Sequence, residues 1–302
     1  MSHGGAGSLG RLFVVATPIG NLEDITLRAL RVLGEVAVIA AEDTRSAQHL
    51  LGHHGLSSGS AGPRLVSFFA GNEAARTEQL LGTLRAGENV ALISEAGLPG
   101  VSDPGQRLVA AARSAGIPVE VVPGPCAALT ALVGSGLPTD RFLFVGFLPR
   151  REGEREVLLA GLVREPGTLI FYEAPDRVPA TLVDLAQIFG EERPACVARE
   201  LTKLFEEYAL ATLGELRDRY ADAAPRGEVT IVVSGHPQPR QGQALADEAP
   251  SVDLEADIRA RLAAGQGPKE IAASLALRSG YPRRKLYQLA IALRPRPDQV
   301  TD

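Results

Sequence analysis

The stretch that decides the fold is "NVALISEAGLPGVSDPG", residues 89–105. A short apolar run is followed at once by a loop rich in glycine and proline that carries two carboxylates, Glu95 and Asp103. An apolar run of this length, bounded by turn residues, reads as a buried strand. A glycine-rich loop directly after it either turns a corner or brings backbone N–H and C=O groups close to a ligand, because glycine has no Cβ to hold the ligand off. Open α/β sheets bind ligands at the carboxyl ends of their strands, which is where this loop stands.

The neighbouring segments repeat the pattern. "RLFVVATP" (11–18), "VAVIAAE" (36–42) and "PVEVVP" (118–123) read as further strands. "DITLRALRVLG" (24–34), "ARTEQLLGTLRAG" (75–87) and "PGQRLVAAARSAG" (104–116) read as helices, the second with Leu80, Leu81 and Leu84 on one face. Continuous apolar strands alternating with helices predict a largely parallel sheet covered on both faces. A second series follows, with strands at "RFLFVGFLP" (141–149), "GTLIFYEAP" (167–175), "ACVARELT" (195–202) and "EVTIVVSG" (228–235), and a helix at "RVPATLVDLAQIFG" (177–190). The chain thus reads as two α/β domains, 11–122 and 123–236, joined through "PGPCAALTALVGSGLP" (123–138). Ligands favour such junctions. Residues 237–251, rich in Pro, Gln and Ala, read as a linker, and 252–302 as a tri-helical module. Its last pattern, "PRRKLYQLAIALRPR", carries Arg283, Arg284, Lys285, Arg294 and Arg296. That basic helix fits either phosphate contact or a solvated face.

Composition narrows the function classes. The 302 residues leave room for roughly two domains. A hydrophobic content of 45% excludes global disorder. A formal net charge of −5 excludes a polycation, so any nucleic-acid contact needs a local basic patch. Cys126 and Cys196 are the only cysteines, with neither a disulfide framework nor metal-ligand spacing, and no metal is expected. No apolar run approaches the ~18 residues of a membrane span, and "MSHGGAGSLGR" lacks an apolar signal region. The expectation is a soluble, cytoplasmic protein.

Polar residues gather where the strands end. Pro18 and Gly20 force a tight turn after the first strand, and Asp24 is placed to cap the next helix. Glu42, Asp43 and Arg45 in "AEDTRSAQHL" (41–50) form either a salt-bridged helix start or the wall of a cleft. Asn72 and Glu73 precede a helix, Asn72 at its N-cap and Glu73 favourable to its dipole. In the second series "FYEAPDR" (171–177) offers Tyr172, Glu173 and Arg177. "ARELTKLFEE" (198–207) offers Arg199, Glu200, Thr202 and Lys203, as a surface salt-bridge cluster or as part of a site. Four successive strands opening on polar or glycine-rich loops at one edge point to a cleft.

Taken together, "TPIGNLEDITLRAL", "AEDTR", "SEAGLPGVSDPG", "PGPCAALTAL", "LPTDRFLFVGFLP", "FYEAPDR" and "ARELTK", in this order, resemble the 16S rRNA 2′-O-ribose methyltransferases of the tetrapyrrole-methylase family. The resemblance runs from about residue 11 to 236. It implies the two-domain α/β fold of the class III methyltransferases, a homodimer, and S-adenosylmethionine bound between the domains. The donor would lie against Ala96, Gly97, Leu98 and Val101 and against Cys126 and Ala127, with Pro18, Gly20, Ser94 and Tyr172 nearby. Cys126 would be a small wall residue. The substrate would be 16S rRNA in the 30S subunit, methylated at a decoding-centre cytidine (cytidine 1402). Two departures stand out. Glu95 and Leu98 replace the family's usual Asp and Thr, and "FFAG" stands where histidines commonly precede Asn72-Glu73, which removes a histidine base.

A 2′-hydroxyl must lose its proton as it takes the methyl group, and a positioned side chain is the usual acceptor. Glu95 is the first choice, with Glu73, Asp43 and Glu173 behind it and Lys203 as a further catalytic residue. Arg45, Asn72, Arg177 and Arg199 would position sugar and phosphate, together with Arg283, Arg284 and Lys285. Two other readings remain open. One is a small-molecule methylase acting on a tetrapyrrole. The other is a nucleic-acid-binding regulator whose α/β part senses a nucleotide.

Overall fold

A computed structural model describes residues 8–59, 62–237, 252–279 and 283–294. It divides into two compact units, Met1–Gly235 and His236–Asp302.

The first unit opens with five parallel strands, β1 Leu12–Val15, β2 Val38–Ala41, β3 Arg64–Ser67, β4 Val90–Ile93 and β5 Val119–Val122, in the order β3-β2-β4-β1-β5. Four helices cross over between them: α1 Leu27–Glu35, α2 Thr44–His53, α3 Glu73–Arg85 and α4 Gln106–Ser114. One face of the sheet packs Val15, Ile39 and Ile93 against Leu33 and Leu51; the other packs Leu12, Ala40 and Leu92 against Leu84 and Leu108. Burial on both faces is why these strands read as unbroken apolar runs. Because β1 and β4 are neighbours and parallel, the loops that follow them leave the same edge of the sheet. Thr17 and Gly97 then join the two loops as a β-bridge, with N–H···O distances of 2.9 and 3.1 Å.

The rest of this unit carries α5 Ala127–Gly134, β6 Phe142–Phe147, α6 Glu152–Leu162, β7 Thr168–Glu173, α7 Val178–Phe189, β8 Pro194–Arg199, β9 Glu207–Thr212, α8 Leu213–Arg219 and β10 Val229–Val233. This second sheet has the order β6-β7-β10-β8-β9 and departs from the parallel pattern. Only β6 and β7 run parallel. β10 lies antiparallel between β7 and β8, and β8 turns directly into antiparallel β9. A connection as short as 200–206 closes a hairpin; a parallel return needs a crossover of a dozen residues or more. Leu169, Phe171, Val197 and Ile231 face α7 and α8, while Ile170, Cys196, Ala198 and Val232 face α5 and Ile19.

Several local expectations are corrected. Asp24 does not cap α1; Thr26 does, its hydroxyl accepting from Ala29 N–H at 3.1 Å, while Asp24 ends a 3-10 turn capped by Asn21. Asn72 makes no side-chain cap bond to α3. Its amide closes the preceding turn, accepting from Phe69 N–H at 2.9 Å and donating to Ser67 O at 3.2 Å. The strand expected over 195–202 stops at Arg199, because Glu200 and Thr202 take φ of +52° and +66°. The helix α8, unforeseen in the sequence, starts on a capping box between Thr212 and Glu215.

In the second unit, α9 Val252–Ala263, α10 Pro268–Ser279 and α11 Arg283–Ala292 enclose Ile258, Ile271, Leu275, Leu286 and Ala290. Linker residues 238–251 and Arg296 lie outside the described residues. Among the described residues no helix is long and apolar enough to cross a membrane.

Candidate active site

The loop after β4 does not turn a simple corner. With Ile19, Cys126, Ala127 and the ends of β7 and β10 it walls a cavity of about 360 Å³. That volume lies at the lower end of the range for small-ligand pockets, roughly 300–1,000 Å³. Gly97 lies on the wall with φ +80°, a left-handed conformation that glycine adopts without cost. The Ser94 hydroxyl donates to Gly97 O at 3.2 Å, and Glu73 accepts from Gly105 N–H at 3.0 Å. The loop is therefore pinned near both ends. Ala96, Leu98 and Val101 supply an apolar wall, and Tyr172 closes the opposite side. The Tyr172 hydroxyl accepts from Ala128 N–H at 3.1 Å at the start of α5. Burial, then the neighbouring Cys126, pushes its pKa up to about 12, so it stays a neutral phenol at physiological pH.

One carboxyl in this wall is strongly perturbed. Asp103 is partly buried, and its pKa is pushed up to about 6. Burial is the largest cause, the nearby charge of Glu42 adds to it, hydrogen bonding with Ser94 opposes it, and Glu95 raises it a little further. A cavity carboxyl with its pKa lifted toward neutrality is a candidate for a general acid–base role.

The family model described as Tetrapyrrole (Corrin/Porphyrin) Methylases matches residues 11–217. The chain belongs to the tetrapyrrole methylase family. Two relatives bear the name Ribosomal RNA small subunit methyltransferase I. One, from Synechocystis sp., is 43% identical over 94% of this chain and 99% of its own length. The other, from Micromonospora olivasterospora, is 46% identical over 94% of this chain and 87% of its own. Among solved structures, the crystal structure of uroporphyrin-III C-methyltransferase from Thermus thermophilus is 25% identical, with a TM-score of 0.51 over 75% of this chain and 94% of that one.

In this member of the family the residues singled out in the sequence fall into two sets. Ala96, Gly97, Leu98, Val101, Cys126, Ala127, Tyr172 and Glu173 line the cavity. Pro18 and Ser94 are buried beside it. Gly20 serves a packing role: a Cβ there would come within 2.6 Å of Lys203 Cγ, so it seats the turn between β8 and β9. Glu95 is exposed and outside the cavity wall.

Most of the other charged residues are held in structural contacts. Asp43 caps α2, accepting from Arg45 N–H at 2.7 Å. Glu173 is buried and accepts from Thr181 Oγ1 at 2.7 Å and Ala174 N–H at 2.9 Å, with Arg177 3.3 Å away. Arg177 also donates to Leu148 O and Pro149 O. Arg199 pairs with Glu207 at 2.6 Å, and Lys203 with Glu200 and Glu228 at 3.0 and 2.9 Å. Arg45 is exposed on α2. Arg283 and Arg284 join Lys269 and Tyr287 along a shallow groove of the helical module, and Lys285 is exposed. Glu152, Glu156 and Asp184 bring carboxylates within 4.8 Å of one another, but the buried Asp184 is already paired with the guanidinium of Arg155.

Asp103 was visible in the opening stretch as the second carboxylate, before Pro104-Gly105. In the sequence Glu95 is the nearer of the two carboxylates to the residues that match the donor contacts. The path of the loop, set by Gly97 and its bridge to Thr17, puts Asp103 in the wall instead.

Proposed function

We propose that this chain transfers the methyl group of S-adenosylmethionine to a ribose 2′-hydroxyl of small-subunit ribosomal RNA, at the decoding-centre cytidine. The observation that carries this reading is identity of 43–46% over 94% of the chain to relatives named Ribosomal RNA small subunit methyltransferase I. Identity to the uroporphyrin-III methyltransferases is only 22–25%. That contrast favours RNA over a tetrapyrrole.

The cavity suits the donor. Its volume, its apolar wall at Ala96, Leu98 and Val101, and the glycine at 97 fit an adenosine moiety. Once bound, the donor supplies an electrophilic methyl carbon. The protein holds the hydroxyl in line with it and accepts the proton. Asp103, rather than Glu95, takes the acceptor role, because Asp103 is in the wall and its raised pKa makes it a stronger base than an ordinary carboxylate. A ribose hydroxyl is far less acidic than a carboxylic acid, so the proton moves late, as the new O–C bond forms. Glu73, Asp43 and Lys203 support the site through the contacts above. Arg45 and the basic start of α11 contact phosphates, and the active species is a cytoplasmic homodimer.

The test is methylation of purified 30S subunits with labelled donor, followed by nucleotide mapping. Label in a 2′-O-methylcytidine supports the reading. Label only in a tetrapyrrole, or tight sequence-specific binding to duplex DNA without methylation, would replace it with one of the two alternatives.

A further inference from the structure

Among the described residues β6 is an edge strand, hydrogen-bonded to β7 alone. Phe142, Leu143 and Phe144 pair with Thr168, Leu169 and Ile170 in regular register. The register then slips: Gly146 pairs with Phe171 and Phe147 with Tyr172, so Val145 and Gly146 together oppose a single residue. Gly146 has φ +78°, which accommodates the bulge. A strand without it would pair Phe147 with Glu173.

The slip decides which face Phe147 occupies, because a shift of one residue moves a side chain to the opposite side of the sheet. Leu169 and Phe171 face the α7 core, and Ile170 and Tyr172 face the cavity side. Paired with Tyr172, Phe147 joins the cavity side, and Leu148 instead enters the α7 core at 2% exposure. Phe147 consequently lines the cavity yet stays 57% exposed. Its ring meets Tyr172 edge-on at 5.6 Å, and Tyr172 meets Phe144 in the same way at 4.9 Å. The bulge thus takes a phenylalanine that a regular strand would turn toward the core and holds it, braced but largely uncovered, at the cavity.

We infer that Phe147 is the stacking platform for the base of the acceptor nucleotide. This rests on the RNA-methylation reading above. A nucleotide in folded RNA must leave its stack to present its 2′-hydroxyl to a buried methyl group, and an aromatic face in the enzyme replaces the lost stacking. The donor's walls are the loop 96–101 and the start of α5. Phe147 comes from the other sheet and is open to solvent, the side from which RNA arrives.

The experiment compares Phe147→Leu, which keeps an apolar side chain without an aromatic face, and Phe147→Trp, which keeps the face. The wild-type enzyme is first shown to methylate 30S subunits. Then KM for 30S subunits, donor affinity by calorimetry and the thermal midpoint are measured for each variant. Phe147→Leu is expected to raise KM for 30S subunits roughly 5- to 150-fold, the range that loss of one stacked base predicts. Donor affinity and thermal midpoint stay at wild-type values, and Phe147→Trp recovers most of the loss. A wild-type KM in Phe147→Leu would overturn the assignment, as would a loss of donor affinity matching the loss of activity, which would move Phe147 to the donor site. A wild-type protein that methylates no RNA would overturn the substrate reading itself, and this assignment with it.

Discussion

Replacing Asp103 with asparagine removes one charge and one proton acceptor while keeping the side chain's shape, and the two losses have opposite consequences. Burial and the Glu42 charge lift the Asp103 carboxyl from 3.8 to about 6. At about 1.4 kcal/mol per unit, the ionised form costs the folded protein at most about 3 kcal/mol, and partial solvent screening reduces this to about 1–2 kcal/mol. The sign follows from linkage. The folded-state pKa is raised, so the contribution to stability is complete below pH 3.8 and is lost as pH rises through about 6. Asparagine cannot ionise. Asp103→Asn should therefore be more stable than wild type by about 1–2 kcal/mol at pH 8 and by less at pH 5, measured by urea unfolding. Methyl transfer should fall by about 10²–10⁴-fold with donor affinity retained, and the wild-type rise of kcat/KM with an apparent pKa near 6 should disappear. Glu95→Gln, at an exposed carboxylate, should lose far less. A near wild-type rate in Asp103→Asn would refute the assignment of the base. Equal stability of the two proteins at pH 8 would refute the argument from burial.

Four further outcomes are expected. Gly97→Ala forces an L-residue to φ +80°, at a cost of about 1–2 kcal/mol, yet its Cβ would sit 3.4 Å from Ile19 and 3.5 Å from Pro125 O, so the fold should survive while calorimetric donor affinity falls. Tyr172→Phe leaves Ala128 N–H without its acceptor and should cost about 1–3 kcal/mol by chemical unfolding. Arg155→Ala strands the buried carboxylate of Asp184 and should cost about 3–5 kcal/mol in the same assay, with donor affinity unchanged in the folded fraction. Deleting 252–302 should leave donor binding intact but flatten the salt dependence of 30S binding; an unchanged slope would make the basic start of α11 a solvated face.

The sequence by itself determined the alternation of β1 to β5 with their helices. Strands buried on both faces must be apolar throughout, and a helix must repeat its apolar residues every three to four positions, so both signals are local. It also marked residues 94–105 as more than a turn, because glycines, prolines and carboxylates in that density have a physical meaning without any partner. What tertiary structure decided were matters of contact between distant residues. Whether Glu95 or Asp103 enters the cavity depends on the bridge from Gly97 to Thr17. Glu73 is engaged by Gly105, and Lys203 by Glu228. Arg177 and Arg199 read in the sequence as candidates to position sugar and phosphate, but the folded chain places Glu173 and Glu207 against them. The antiparallel half of the second sheet and the bulge that turns Phe147 to the cavity have the same origin. Register is a relation between two strands, and neither strand's own residues state it.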